Sequence, residues 1–356
     1  MSGERILAEH LTLSVDAMGG DAAPHMVVEG VDMVAARLGT IRFLLFGDEQ
    51  QLAPLLDRYP NAKRASEIRH TDQVIKSDDR PATALRGGRQ SSMRLAINAV
   101  GTGEAHGIVS AGNTGALMAM AKFVLKTLPG IDRPAIATYF PTQRGESVML
   151  DLGANIECDA NNLVQFAVMG EVFSRNVLGV ENPSVGILNV GVEDLKGNDA
   201  VKGAAAILQA ETHLPIKFYG FVEGDDIGAG TVDVVVTDGF TGNVALKTAE
   251  GTAKLFGHIL KQALTSSPLA MIGALFARPA LNALKMKMDP RRYNGAMFLG
   301  LNGICIKSHG GTDAVGFAHA LQVAIDLTEN NINDSIKADY GQLCADAEVS
   351  RNAVAS

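Results

Sequence analysis

Glycine, asparagine and aspartate gather in five short stretches, and the chemistry these residue types could do is anion binding. Asp16–Asp21 reads DAMGGD, Ser110–Gly115 SAGNTG, Asp151–Asn155 DLGAN, Asn189–Asn198 NVGVEDLKGN and Thr237–Asn243 TDGFTGN. Each follows a short apolar run and precedes apolar residues at three-to-four spacing, so each should leave a strand and enter a helix. At a helix N-terminus, free N–H groups and the dipole favour negative charge. Gly19, Gly20, Gly115, Gly239 and Gly242 would let backbone approach a phosphate closely. Asp16, Asn113, Thr114 and Asn155 add polar side chains to the same loops. Tight turns and N-caps would also explain Asn, Asp and Ser there. With one layout repeated five times, a shared anion pocket is the stronger reading.

Other site chemistries find less support. There is no G-x-x-x-x-G-K-[ST], no G-x-S-x-G and no H-E-x-x-H. The GTGEAHG segment at 101–107 precedes a strand where a dinucleotide fingerprint would follow one. Cys158, Cys305 and Cys344 are few, odd in number and far apart, which excludes a disulfide framework and a zinc site and suits a reducing, cytoplasmic compartment. Cys158 lies just past DLGAN and reads as an ordinary thiol. Glu223, Asp225 and Asp226 could suggest a metal but read better as a solvated turn; no metal is expected, and no cofactor. Among the histidines, His309 in KSHGG is the one in a glycine-rich loop. A formal charge of −8 argues against sequence-independent nucleic-acid binding, which needs a net basic face.

The elements that must position these loops follow from the alternation of strand, loop and helix. LTLSVD, HGIVS, SVMLD, SVGILN and VDVVVTD are the strands that feed the loops, with IRFLLFGD and IKFYGFVEGDD supplying more. Such alternation implies an α/β fold with a mainly parallel sheet flanked by helices, its loops collected at the carboxyl edge. GIDRPAIATYFPTQRGES, with Pro134 and Pro141, could form a hinge or hairpin between subdomains. The chain therefore reads as one unit over 11–345, which allows two subdomains with a crevice between them, and a flexible tail over 346–356.

A second signal is electrostatic. No Asp or Glu occurs over 252–288, while Lys254, Lys261, Arg278, Lys285 and Lys287 do. Within this basic segment Leu269, Ile272, Leu275 and Phe276 share one helical face, and Pro279 should end that helix near Ala277. A basic, apolar stretch inside an acidic chain suits an acidic partner or an anionic lipid surface. No apolar run reaches the length of a membrane span.

VDAMGGDAAP, SAGNTGALM, GIDRPA, LDLGAN, ILNVG-x-E-D-x-KGN, VVVTDGFTGNVALKT and IKSHG occur in this order. Over about 11–325 the chain thereby resembles the bacterial phosphate acyltransferase family, the acyl-ACP:phosphate transacylases of phospholipid synthesis. It departs from the pattern at Arg86-Gly87-Gly88-Arg89 and at Asp225. The resemblance implies a fold similar to phosphotransacetylases and isocitrate/isopropylmalate dehydrogenases, and a homodimer. It also implies transfer of a fatty acyl group from acyl carrier protein to orthophosphate. The acyl phosphate would then pass to a membrane glycerol-3-phosphate acyltransferase, placing the protein in the cytoplasm against the inner face of the cell membrane. For that reaction Lys196 is the candidate to hold phosphate, Asn243 to donate to the oxyanion, and Asp238 to orient Lys196 or a loop amide. Asn113 is a second polar contact, and Asp16 and His309 complete the rim. Leu269, Ile272, Leu275, Phe276, Arg278, Lys285 and Lys287 would face membrane or carrier protein. The rival readings are a phosphate acetyl- or butyryltransferase using acyl-CoA and a non-catalytic metabolite-binding or scaffolding protein.

Overall fold

Alternate residues of the inner strands serve two different cores. In Thr12–Asp16 (β1), Leu13 and Val15 point into one buried cluster and Ser14 is buried on the other face. Arg42–Gly47 (β2) sends Phe43 and Leu45 to the first cluster, Leu44 and Phe46 to the second. A sheet buried on both faces in this way needs helices on both sides. The computed structural model describes residues 11–210, 216–287 and 289–341.

The remaining strands are β3 (Ser66–His70), β4 (Gly107–Ser110), β5 (Ala135–Thr142), β6 (Gly145–Leu150), β7 (Ser184–Leu188), β8 (Lys217–Val222), β9 (Val234–Val236), β10 (Ala296–Leu299) and β11 (Ile304–Lys307). They form one eleven-stranded sheet in the order β3-β2-β1-β4-β11-β10-β5-β6-β9-β7-β8. β3, β2, β1, β4 and β11 are mutually parallel, as are β6, β9, β7 and β8. The mainly parallel α/β sheet expected from the sequence is therefore present. Between the blocks, β11/β10, β10/β5 and β5/β6 are all antiparallel.

Three reversals leave the second block running opposite to the first. A single carboxyl edge for all five loops, the expectation for an open parallel sheet, is therefore corrected. The loops after β1, β4 and β11 leave one block, and those after β6, β7 and β9 leave the other. The GIDRPAIATYFPTQRGES segment is the hairpin β5/β6, in register from Ala137–Leu150 to Thr142–Gly145. Two helices fill the interior: Ala160–Phe173, buried from Asn162 onward, and Ala314–Glu329. The tail 346–356 and Cys344 lie outside the described residues.

Candidate active site

In the first block the site is built around a buried carboxylate. Asp16 ends β1 and accepts hydrogen bonds from Ser92 Oγ (2.6 Å) and Ser110 Oγ (2.7 Å). Burial raises its pKa, opposed by the two hydroxyls and by the nearby Lys307 ammonium. Ser110 Oγ also accepts from Gly112 N at 3.0 Å, so the loops after β1 and β4 are tied together. They lie too close for side chains: a Cβ on Gly19 would stand 2.5 Å from Asp16 Oδ2 and 2.7 Å from Gly112 N. Gly20 has φ +112°, a conformation other residues rarely adopt.

Lys307, at the end of β11, completes this group. Its Nζ donates to the carbonyls of Ala111 and Ser308. Burial lowers its pKa from 10.5 to about 8, although Asp16 and Asp21 pull the other way. The following residue, Ser308, and His309 are held by buried Asn294. Its Nδ2 donates to Ser308 Oγ (2.8 Å) and Gly316 O (2.7 Å), and its Oδ1 accepts from His309 N (2.8 Å). His309 Nδ1 accepts from Gly311 N at 3.2 Å, which leaves the neutral ring its hydrogen on Nε2. Burial, then Lys247 and Lys307, hold the His309 pKa below its usual value. A neutral imidazole can thus offer Nε2–H to an anion.

Asn113 has a different employment. Its Oδ1 caps Thr114–Leu125 by accepting from Ala116 N, and its Nδ2 donates to Ser77 O and Asp79 O, each at 2.9 Å. Thr114 is exposed, and Gly115 is where a Cβ would meet Pro81 Cγ at 2.7 Å.

The second block repeats the device of a buried carboxylate. Asp151, after β6, accepts from the backbone N–H groups of Ile136, Gly153, Ala154 and Asn155, and from Asn155 Nδ2. Asn155 Nδ2 also reaches Pro134 O at 2.8 Å. Asp238 caps the helix Gly239–Leu264, accepting from Thr241 N and Thr241 Oγ1, both at 2.8 Å. It forms no hydrogen bond or ion pair with Lys196 among the described residues. Gly239 and Gly242 have a packing reason: a Cβ would stand 2.6 Å from Asn155 O and 2.0 Å from Asp151 O respectively. Asn243, one position on, is exposed beside Gly153. Lys196 is exposed on the loop after β7, which Asn189 Nδ2 braces by donating to Gly191 O and Lys196 O. Lys247 of the helix Gly239–Leu264, ion-paired with Glu250 at 2.8 Å, lowers the pKa values of both Lys307 and His309 through its charge.

This geometry has relatives. Residues 11–335 match the family described as fatty acid synthesis protein. The chain belongs to that family. It is 62% identical over 346 residues to the phosphate acyltransferase of Paramagnetospirillum magneticum, covering 97% of this chain and 98% of the relative. The phosphate acyltransferase of Rhodospirillum centenum is 60% identical over 342 residues, with 96% of each chain covered. By this kinship the chain is an acyltransferase. In fold it is similar to a phosphotransacetylase from Streptococcus pyogenes (TM-score 0.60, 17% identity, 93% of this chain and 96% of that one). The EutD phosphotransacetylase from Staphylococcus aureus is also similar (TM-score 0.54, 16% identity, 92% and 94%).

Within this acyltransferase, Cys158 is half-buried and its thiol pKa is pushed up to about 12 by burial, then by Asp151 and Asp238. A thiol so hard to ionise is a poor nucleophile. Cys158→Ser should therefore keep near-normal turnover; complete loss of turnover in the folded variant would restore a covalent thiol route.

The residue pattern does not mark Lys307, Ser92 and Asn294 as site residues, and it marks Ser110 only as the start of SAGNTG. Lys307 stands inside the quoted IKSHG, where its place at the end of an apolar strand was the available signal. Asn294 precedes Gly295 and reads as a turn. Ser92 has no local signal at all. The basic segment begins in the last half of the helix Gly239–Leu264 and continues as Pro268–Phe276 and Arg278–Lys287, with Ala277 as the cap between these two. Neither helix has a buried residue, and Leu269, Leu275 and Phe276 are 79%, 64% and 82% exposed.

Proposed function

We propose that this acyltransferase moves a fatty acyl group from the thioester of acyl carrier protein to orthophosphate. The observation that supports it most is the meeting of Lys307 and His309 at the closely packed loops after β1, β4 and β11. A lysine ammonium, a neutral Nε2–H donor and glycine backbone together suit a phosphate ion. A phosphate oxygen attacks the thioester carbonyl carbon, forming a C–O bond. The C–S bond then breaks, and the thiolate takes up the proton the phosphate gives up. The leaving thiolate needs no metal, because an ordinary thiol has a pKa of about 8.5. Catalysis is then placement and oxyanion stabilisation. Asn243 is the oxyanion donor, and Lys196 the exposed cation that meets phosphate or the developing charge from the second block. Lys196→Ala should raise the KM for phosphate roughly tenfold, in line with about 1.5–3 kcal/mol for a hydrogen bond to a charged group; unchanged phosphate saturation would remove it from the site.

The donor is tested by offering purified protein and phosphate either long-chain acyl carrier protein or long-chain acyl-CoA. Acyl phosphate from the carrier-protein thioester supports the reading, and turnover with acyl-CoA alone overturns the donor assignment.

The same proposal extends to location. No single described helix is long and apolar enough to cross a membrane. The helices Gly239–Leu264 and Pro268–Phe276 meet at 115° and carry exposed Leu255, Phe256, Ile259, Leu269, Ile272, Leu275 and Phe276. A homodimer would cover the apolar face of the long helix, and the tip would enter an anionic bilayer beside Arg278, Lys285 and Lys287. Each buried apolar side chain contributes roughly 1.5–3 kcal/mol, and each surface cation about 1 kcal/mol. Attachment would be reversible, at the inner face of the cell membrane. There acyl phosphate could pass to a membrane glycerol-3-phosphate acyltransferase. A Leu275→Glu, Phe276→Glu double variant should stay folded and active in solution yet no longer sediment with phosphatidylglycerol vesicles; undiminished sedimentation would contradict the insertion.

A further inference from the structure

A cavity of about 380 Å³ opens in the second block beside the loop after β6 and the starts of the helices Asp199–Ala210 and Gly239–Leu264. Its apolar walls are Ile156, Cys158, Leu163, Val201 and Phe240. Part of its polar lining is engaged within the protein. Asn198 Oδ1 accepts from Val201 N at 2.9 Å, and Asp238 accepts from Thr241. The cavity therefore offers apolar contact more than hydrogen bonds. Glu157, also on its lining, would repel a phosphate. Cys158, held neutral, adds to the apolar wall.

The apolar character continues outside. Ile156 and Phe240 are 67% and 62% exposed at the mouth, and Val190, Val192 and Leu195 are exposed on the loop that carries Lys196. Exposed apolar side chains in one neighbourhood, beside a concave site, mark a ligand surface. Asp238 is shared between cavity and candidate site, and Asn243 lies in the second turn of the same helix.

We propose that this cavity receives the hydrocarbon chain of the acyl donor, with the thioester carbonyl at its mouth near Asn243 and Lys196. The inference rests on the acyl-to-phosphate reading above and adds where the chain lies. The volume falls at the lower end of the usual range for small-ligand pockets, about 300–1,000 Å³. The exposed apolar residues around the mouth would contact the part of a long chain nearest the reacting carbonyl. Each methylene buried is worth about fourfold in affinity, so the cavity would set chain-length preference.

Ala200 stands on the cavity wall, half-buried in the first turn of its helix. Ala200→Trp should lower kcat/KM for a hexadecanoyl donor at least tenfold while leaving an octanoyl donor within about threefold. A parallel measurement needs no variant. Alkylation of Cys158 by N-ethylmaleimide at high pH, followed at its own peptide, should be slowed by a non-hydrolysable hexadecyl thioether analogue and not by an ethyl one. Equal effects of Ala200→Trp on both donors, or unprotected Cys158 under saturating analogue, would overturn the chain site while acyl phosphate formation by the unaltered protein stood. If the unaltered protein formed no acyl phosphate from any donor, the parent reading would fail and this one with it.

Discussion

Asn243→Ala should lower turnover by about 10²–10³, the usual consequence of removing one oxyanion donor, without disturbing the fold. Asn243 is exposed in the second turn of the helix Gly239–Leu264, beside Gly153, and its side chain braces no loop among the described residues. Asn155 is the informative contrast. It is buried and its Nδ2 serves both Asp151 Oδ2 and Pro134 O. Asn155→Ala should therefore cost about 1–3 kcal/mol of stability through unsatisfied buried groups, with activity falling as the Asp151 loop loosens. Turnover and denaturant midpoints measured on both variants separate the roles. A folded Asn243→Ala protein with near-normal turnover would end its assignment.

Lys307 should show its effect in two pH profiles of opposite sense. With a pKa of about 8 in the folded protein, its charge is lost as pH rises through that value. If the ammonium holds phosphate, kcat/KM for phosphate falls above pH 8, and Lys307→Met lowers it by about 10–100-fold at neutral pH, the scale of a charged hydrogen bond. Stability runs the other way. Between pH 8 and 10.5 the unfolded chain binds the proton that the folded chain has released, so stability rises with pH across that window. The full difference in pKa corresponds to about 3 kcal/mol. Relative to Lys307→Met, the unaltered protein should thus gain stability from pH 8 to 10.5, read by denaturant unfolding. A flat phosphate profile through pH 8 would take Lys307 out of the phosphate site and leave it a brace between Ala111 and Ser308.

Local features of the fold were legible in the sequence because local rules produce them. Apolar runs followed by glycine-polar loops became strands and helix starts. Pro279 separated two short helices, and the Pro134–Ser147 region became a hairpin. The reversal of the second block was not legible. It depends on β10 pairing with β5, strands that meet only after about half the chain has intervened, and residue pattern does not encode which strand lies beside which. The same limit hid Lys307, whose burial follows from β11 lying against β4. Loop chemistry was ambiguous for another reason. Asn113, Gly239 and Gly242 satisfy an anion-site pattern and equally a capping or close-packing pattern. The tie to Ser77 and Asp79, and the contacts at Asp151 and Asn155, become apparent only in three dimensions.

The central claim is that orthophosphate, not water, receives the acyl group. Its most direct measurement follows free carrier-protein thiol and hydroxylamine-trapped acyl phosphate in the same reaction, with and without phosphate, using the purified full chain and hexadecanoyl carrier protein. One acyl phosphate per thiol, saturating with phosphate and vanishing without it, is the expected result. Thiol release that proceeds unchanged without phosphate and leaves free fatty acid would contradict it.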